Sequence, residues 1–315
     1  MKVAQDESVS MSKAECPGRR NFLGLGAEHS SPDTSLFNII PVPYDATSTY
    51  TPGSRLGPRA IIEASRQLEA YDHELDLEPA SVGVATLDDV GATVVDPAMM
   101  ADQVEKAVAA VASRKRLPVV LGGEHTVSVG AVRALARPDA GTDRIGVVSF
   151  DAHADLRDSY QGTRYSHACF LRRAAEVAEC CVLGVRSVAR EEVEFARTSG
   201  VRVFYADEMR RAVGRLDLDF IPKAVYVSVD VDVLDPSLMP ATGTPEPGGM
   251  GWYDLIDLLT RIVSGRKVVG FDVVELCPIA GCPAPDFTAA KLVHKLMGAV
   301  VKFSSFGKDT GTRHG

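Results

Sequence analysis

The sequence predicts an α/β fold of three layers, with helices on both faces of a central, mostly parallel β-sheet. Two observations predict it. From about residue 36 onward, short β-branched runs alternate with longer segments of helical periodicity, the order that builds parallel sheets. The runs are also near-continuously apolar, as strands covered on both faces are, and do not alternate apolar with polar residues. The chain has 315 residues, 45% hydrophobic and 24% charged, which is ordinary globular composition with length enough for a large core.

Taken in order, residues 1–34 are expected to be a mobile N-terminal extension. Arg19-Arg20-Asn21-Phe22-Leu23 has the look of a twin-arginine export signal. The apolar stretch that follows is broken by glycine and runs straight into Glu28-His29-Ser30-Ser31-Pro32-Asp33, so an export segment is not expected. A single domain is expected over 35–303. Its strands are read at 36–44, 117–121, 145–150, 181–185, 201–205, 225–229 and 268–274. A helix is expected over Arg59–Tyr71, where Ile61, Ile62, Ala64, Leu68 and Tyr71 have helical spacing, and another over Ala101–Ser113. A late amphipathic helix carries His294, read as a packed residue and not a ligand. Residues 304–315 read as a polar C-terminal tail.

Charge and cysteine usage narrow the class. The net charge is −8, and no dense Lys/Arg block marks a nucleic-acid surface. No apolar run approaches the roughly 20 residues of a membrane span. Six cysteines without framework spacing point to a reducing, cytoplasmic setting.

A sheet of this kind places its ligand site at the carboxyl ends of its strands. The ionisable residues fall there. Run 117–121 is followed by Gly-Gly-Glu124-His125, run 145–150 by Asp151-Ala-His153-Ala-Asp155, run 225–229 by Asp230-Val-Asp232, and the last run by Glu275. In an extended segment alternate side chains share a face, about 6.7 Å apart, so Asp151, His153 and Asp155 are expected on one side, as are Asp230 and Asp232. Several converging carboxylates repel unless cations sit among them. The donor set suits two divalent cations. Oxygen and imidazole ligands without thiolate favour Mn²⁺, with zinc and nickel left open. Gly122-Gly123 lacks the Lys-Ser/Thr of a phosphate loop and is read as room for the backbone beside the metals. Cys169, two residues after His167, is read as a packing residue and not a nucleophile.

G-G-E-H, S-F-D-A-H-A-D and S-V-D-V-D-V-L-D-P, in this order, resemble the ureohydrolase family of arginases and agmatinases, over about residues 39–297. The resemblance implies an arginase-like three-layer fold and two manganese ions per subunit. It implies that His125 binds the first ion and His153 the second, that Asp151 and Asp230 bridge them, and that Asp155 and Asp232 complete the two sites. It further implies a nucleophilic hydroxide between the ions. His167, in Y-S-H-A-C, resembles the family's proton-shuttling histidine, and an unperturbed pKa of roughly 6.5 suits that work. Glu275 resembles the glutamate that pairs with the substrate guanidinium, a directional, bidentate contact. Thr244, in A-T-G-T-P-E-P-G-G, falls on a loop that lines the site in relatives. Trimers or hexamers are usual in the family, so a homo-oligomer is expected.

Within the family, P-Y-D-A-T-S-T-Y-T-P-G-S-R and the segments around Asp155 and His167 look more like agmatinases. Arginases usually hold the substrate carboxylate with an asparagine two residues after the last aspartate of the first motif, where this chain has Arg157. Agmatine, hydrolysed to putrescine and urea, is the expected substrate. An arginine at that place could equally pair with an acidic tail, which keeps guanidinobutyrate, guanidinopropionate and arginine open. A non-catalytic metal-binding relative also remains open.

Overall fold

The computed structural model describes residues 21–91, 93, 95–137, 144–211 and 216–306. One eight-stranded sheet organises them, in the order β2-β1-β3-β8-β7-β4-β5-β6, and every pairing is parallel. The strands are β1 (Phe37–Val42), β2 (Val84–Thr86), β3 (Leu117–Gly122), β4 (Gly146–Phe150), β5 (Glu179–Val185), β6 (Arg202–Tyr205), β7 (Ala224–Asp230) and β8 (Lys267–Val274). The helices are α1 (Gly57–Ser65), α2 (Pro97–Ser113), α3 (Thr126–Leu135), α4 (Phe170–Ala174), α5 (Arg190–Ser199), α6 (Ala206–Arg211), α7 (Trp252–Val263) and α8 (Ala284–Phe303).

Register explains why the strands read as continuous apolar runs. Ile39, Val119, Phe271, Val227, Val148 and Cys181 form one row across the sheet. They face the core shared with α1, α7 and α8. The next row, Ile40, Val120, Asp272, Ser228, Ser149 and Val182, points the other way, toward α2, α3 and α4. Helices on both faces bury both rows, as three-layer packing requires. The middle of the second row is polar, and it lies beneath the site described below.

The expected seven strands are present. The edge strand β2 was not expected, because three residues are too few to show a period. Helix α1 stops at Ser65 and does not reach Tyr71. Ser65 Oγ donates to Ile62 O at 2.6 Å and accepts from Leu23 N at 2.8 Å, which fixes the helix end against the N-terminal segment. The expectation of a mobile extension to residue 34 is corrected from residue 21 onward, since Phe22, Leu23 and Leu25 are buried in the core beside α1 and β2. Residues 1–20, with the Arg19-Arg20 pair, lie outside the described residues. The polar tail expected from 304 begins with a buried Ser304 whose Oγ accepts from Val268 N at 3.1 Å; 307–315 lie outside the described residues. Among the described residues no helix is long and apolar enough to cross a membrane.

Candidate metal centre

Four adjacent central strands, β3, β8, β7 and β4, end at one rim and deliver every expected ligand to it. His153, Asp155, Asp230 and Asp232 line a cavity of about 290 Å³. Arg157, His167, Thr244 and Glu275 line the same cavity. His125 and Asp151, each 1% exposed, lie behind it.

The ligands converge, but strand alternation is not the cause. β4 ends at Phe150, and Asp155 stands at φ 52°, in the left-handed region. The segment leaves the sheet and turns Asp155 back toward His125. Glu192, buried at the start of α5, holds this turn by accepting from Leu156 N at 2.9 Å. Asp232 sits in a single 3-10 turn, Val231–Val233, with Asp230 Oδ1 accepting its N–H at 2.8 Å. Glu275 also has a positive φ, 66°. Left-handed backbone at non-glycine residues costs of order 1–3 kcal/mol and persists where surrounding structure enforces it, commonly at functional sites.

Two ligand groups emerge. His125, Asp151 and Asp230 form one, Asp151, His153 and Asp232 the other, and the donor atoms of each lie within 4.8 Å of one another. Asp151 belongs to both, as a bridging ligand must. Asp230 falls in the first group. Asp155 joins from the side, its Oδ2 3.1 Å from His125 Nδ1.

The donor orientations fit a cation. Ser228 Oγ donates to Asp272 Oδ1 at 2.6 Å, so the His125 Nε2 at 2.8 Å from Ser228 Oγ is the donor of that contact. The proton therefore sits on Nε2, and Nδ1 carries the lone pair. Nδ1 is 3.1 Å from Asp151 Oδ2, 3.1 Å from Asp155 Oδ2 and 3.5 Å from Asp230 Oδ2. Yet His125 Nδ1 and Asp151 Oδ2 are buried without a hydrogen-bond partner. A lone pair facing three carboxylate oxygens is repulsive unless a positive charge lies between them. His153 Nδ1 is 2.9 Å from Asp232 Oδ2, the corresponding contact of the second group.

Without a cation, protons compensate. Burial alone would lower the His125 pKa, but Asp151 and Asp155 push it well above its ordinary value. Burial opposes charging of His153 as well, and Asp232 with Asp151 overcomes it, up to about 12. Burial and the Asp151 charge raise Asp155 to about 7. Burial raises Asp230 well above the carboxylate range, with Asp232 and Asp151 adding to it. Asp151 goes the other way: burial would raise it, but the two imidazoles hold it far below.

Glu275 faces the cavity beside these groups. Its Oε1 accepts His125 N–H at 2.7 Å, and its own N–H donates to Gly123 O at 2.8 Å. Burial, then the nearby Glu124, raises its pKa well above the ordinary range. His167 stands opposite, with Nδ1 3.1 Å from Thr47 Oγ1 and the Tyr160 ring edge-on at 6.2 Å. Its pKa is not the unperturbed value expected from sequence; burial and then the His153 and His125 charges lower it to about 4. Arg157 Nη1 lies 2.5 Å from Glu191 Oε1, and its guanidinium sits over the Tyr160 ring, 4.9 Å from the centroid.

The model of the Arginase family matches residues 36–298. This chain belongs to the arginase family, a family of hydrolases. It is 35% identical over 290 residues to an N(1)-aminopropylagmatine ureohydrolase of Synechocystis sp., covering 89% of this chain and 94% of that one. It is 39% identical over 263 residues to an agmatinase of Pyrococcus horikoshii, covering 82% and 90%. The crystal structure of an agmatine ureohydrolase of Thermoplasma volcanium superposes with a TM-score of 0.81 at 33% identity, covering 90% and 95%.

For this arginase-family member, several neighbours of the centre escaped the sequence. Ser228 and Asp272 carry the His125 tautomer, and Tyr226 Oη donates to Asp272 Oδ2 at 2.6 Å. Their signal was a serine and an aspartate inside otherwise apolar strands. Tyr50 and the segment Ser187-Val188-Ala189, which line the cavity, and Thr47, which touches His167, carry no such mark, and the fold alone brings them there. Gly123 does give room to backbone, that of Tyr44. A Cβ there would meet Tyr44 O at 1.8 Å, so the glycine admits the backbone just after β1, where Tyr44 O accepts Glu124 N–H at 2.7 Å. Cys169 is buried and its thiol is pushed up to about 11 by burial, which leaves it protonated and inert. His294 is buried in α8, away from the centre, with Nε2 at 3.2 Å from Ala70 O.

Proposed function

We propose that the protein hydrolyses agmatine to putrescine and urea, with two divalent cations, Mn²⁺ by donor type, held by His125, Asp151, His153, Asp155, Asp230 and Asp232. The observation that carries the reading is Glu275. It is a half-buried carboxylate opening on the cavity, with no Lys or Arg ion pair among the described residues, beside two ligand groups that share Asp151. A guanidinium matches it in charge and in planar, two-point geometry. Cations held there would neutralise the converging carboxylates and supply, from bound water, a nucleophile near neutral pH.

The chain's own groups supply the rest. Glu275 orients the guanidinium carbon toward the ligand groups, and orientation of this kind removes a large part of the barrier. His167, neutral because of its lowered pKa, takes a proton released as water adds to the guanidinium carbon. It returns that proton to the departing nitrogen, so that R–NH–C(NH₂)₂⁺ plus water gives R–NH₃⁺ plus urea. Thr244, on the wall of the cavity, borders the path of the substrate chain.

The tail preference rests on Arg157. Its guanidinium is engaged by Glu191 and Tyr160, so the wall offers no free cation to an acidic tail. That supports agmatine over guanidinobutyrate, guanidinopropionate or arginine. The names of the Synechocystis and Pyrococcus relatives both describe carboxylate-free guanidino compounds and support the same choice. The Synechocystis relative favours a second reading, N1-aminopropylagmatine, whose longer polyamine tail keeps the same chemistry.

The test is urea release by Mn²⁺-loaded protein across agmatine, N1-aminopropylagmatine, arginine, guanidinobutyrate and guanidinopropionate, against a metal-free control. Agmatine should give the highest kcat/KM. A preference for an acidic tail would overturn the substrate assignment, and no urea from any of them would overturn the reaction.

A further inference from the structure

Glu124 is fully buried, and no ion pair reaches it among the described residues. A buried carboxylate without a cation is costly unless hydrogen-bond donors satisfy it. The donors come from one short loop. Thr47 N–H donates to Oε2 at 2.8 Å, Thr47 Oγ1 to Oε1 at 2.7 Å and Ser48 Oγ to Oε2 at 3.3 Å. Three converging donors are the complement of an ionised carboxylate, which only accepts.

The consequence passes through Thr47. A hydroxyl has one proton and two lone pairs. The Thr47 proton is committed to Glu124, so both lone pairs must accept. The His167 backbone N–H donates to one, at 3.0 Å. The other faces His167 Nδ1 at 3.1 Å; Thr126 Oγ1 stands farther off, at 3.4 Å, and gives its own proton to Tyr165 O at 2.9 Å, so the contact with the ring closes only if Nδ1 carries the proton. Ser166 Oγ stands farther from the same nitrogen, at 3.4 Å.

We propose that Glu124 and Thr47 are positioning residues that fix the tautomer of His167, with the proton on Nδ1 and the lone pair on Nε2 for the cavity. This rests on the reading of His167 as the proton carrier. A proton on Nε2 would make the ring a donor first, unable to accept when water adds. Through the one Oγ1, Thr47 holds both the backbone and the ring of His167. Outer partners of this kind are typically worth 10–100-fold in activity. His125, whose tautomer is set by Ser228 and Asp272, shows the opposite assignment in the same site: proton on Nε2, lone pair on Nδ1.

The test has two independent arms. In the first, ¹⁵N-histidine-labelled full-length chain is examined by NMR, metal-free and loaded with diamagnetic Zn²⁺, with His167→Gln assigning the signal. His167 should be protonated at Nδ1 in the wild type and should lose that preference in Thr47→Val. In the second, steady-state urea release is followed on the best guanidino substrate. Thr47→Val should lower kcat about 10–100-fold with little change in KM, and Thr47→Ser, which restores the hydroxyl, should recover most of it. A wild-type proton on Nε2 overturns the relay, and so does an unchanged kcat in Thr47→Val. Should Thr47→Val fail to fold, the wild-type spectrum and Thr47→Ser still decide. Absence of urea from every substrate would sink the catalytic reading of the site, whereas the tautomer is read without substrate.

Discussion

The alternate-residue pattern around Asp151, His153 and Asp155 is legible in the sequence as a candidate metal motif, but the geometry that gathers these residues is not. Asp155 reaches His125 because its backbone turns left-handed after β4 ends, and no residue type announces that turn. Ser228 and Asp272, by contrast, were visible in principle as polar residues inside apolar strands. Thr47 was not, since threonine in a loop is commonplace. Two substitutions test this scale. Asp151→Asn keeps the size of the ligand shared by both groups and removes its charge. It is expected to abolish urea release and reduce bound metal, checked by metal analysis of the dialysed protein, while far-ultraviolet circular dichroism stays unchanged. Gly123→Ala drives a methyl into the Tyr44 carbonyl. Overpacking against backbone is at or above the top of the usual 1–3 kcal/mol, so chemical denaturation should show a loss of about 3 kcal/mol or more.

At the level of elements, the strands were readable because two covering helical layers demand apolar residues on both faces. Helix ends and the edge strand were not, because tertiary contacts set them. The N-terminal segment is the clearest case. Its sequence looks like a leader broken by glycine, yet Phe22 is fully buried against α1 and β2. Phe22→Ala should cost about 3–5 kcal/mol, in the range of other buried aromatic truncations, and urea denaturation will report it. A second tie joins the loop after α1 to α8. Lys295 Nζ is 2.7 Å from Asp72 Oδ1 and also contacts Glu74, with Lys295 and Asp72 side chains 6% and 1% exposed. Removing one partner of a buried pair typically costs 3–5 kcal/mol, so Lys295→Ala should destabilise by about that much at pH 7. Burial would raise the Asp72 pKa, but Lys295 holds it below the ordinary value. The stability it contributes is thus present above the unfolded pKa, about 3.9, and is lost as pH falls through the lower folded value. The difference between wild type and variant should therefore shrink in acid.

Across the whole molecule, the metal centre and the net acidity of the chain are one problem in charge. In the metal-free state Asp155 is raised to about 7 and His153 to about 12. Both shifts mean that the native state holds protons the unfolded chain has released, so stability falls as pH rises, from about 4 for Asp155 and from about 6.5 for His153. On the proposed function, a divalent cation would replace those protons. Metal binding at pH 7 should release protons, measurable by calorimetry in buffers of different ionisation enthalpy. At a free metal concentration 100 times Kd, one site should add about 2.7 kcal/mol of stability. A binding enthalpy independent of the buffer would contradict this exchange.

The order of the strands has a consequence for how the chain is made. β8 lies between β3 and β7, which do not pair with each other. Until the ribosome has delivered residues 267–274, the nascent chain holds two partial sheets, β2-β1-β3 and β7-β4-β5-β6, each with an open inner edge. Open edges of this sort invite pairing with other chains. His125 belongs to one partial sheet, and Asp151 and Asp230 to the other. Translation that stops short of β8 is therefore expected to leave an aggregation-prone product in which the group of His125, Asp151 and Asp230 is split between two unjoined edges, while Asp151, His153 and Asp232 already share one side.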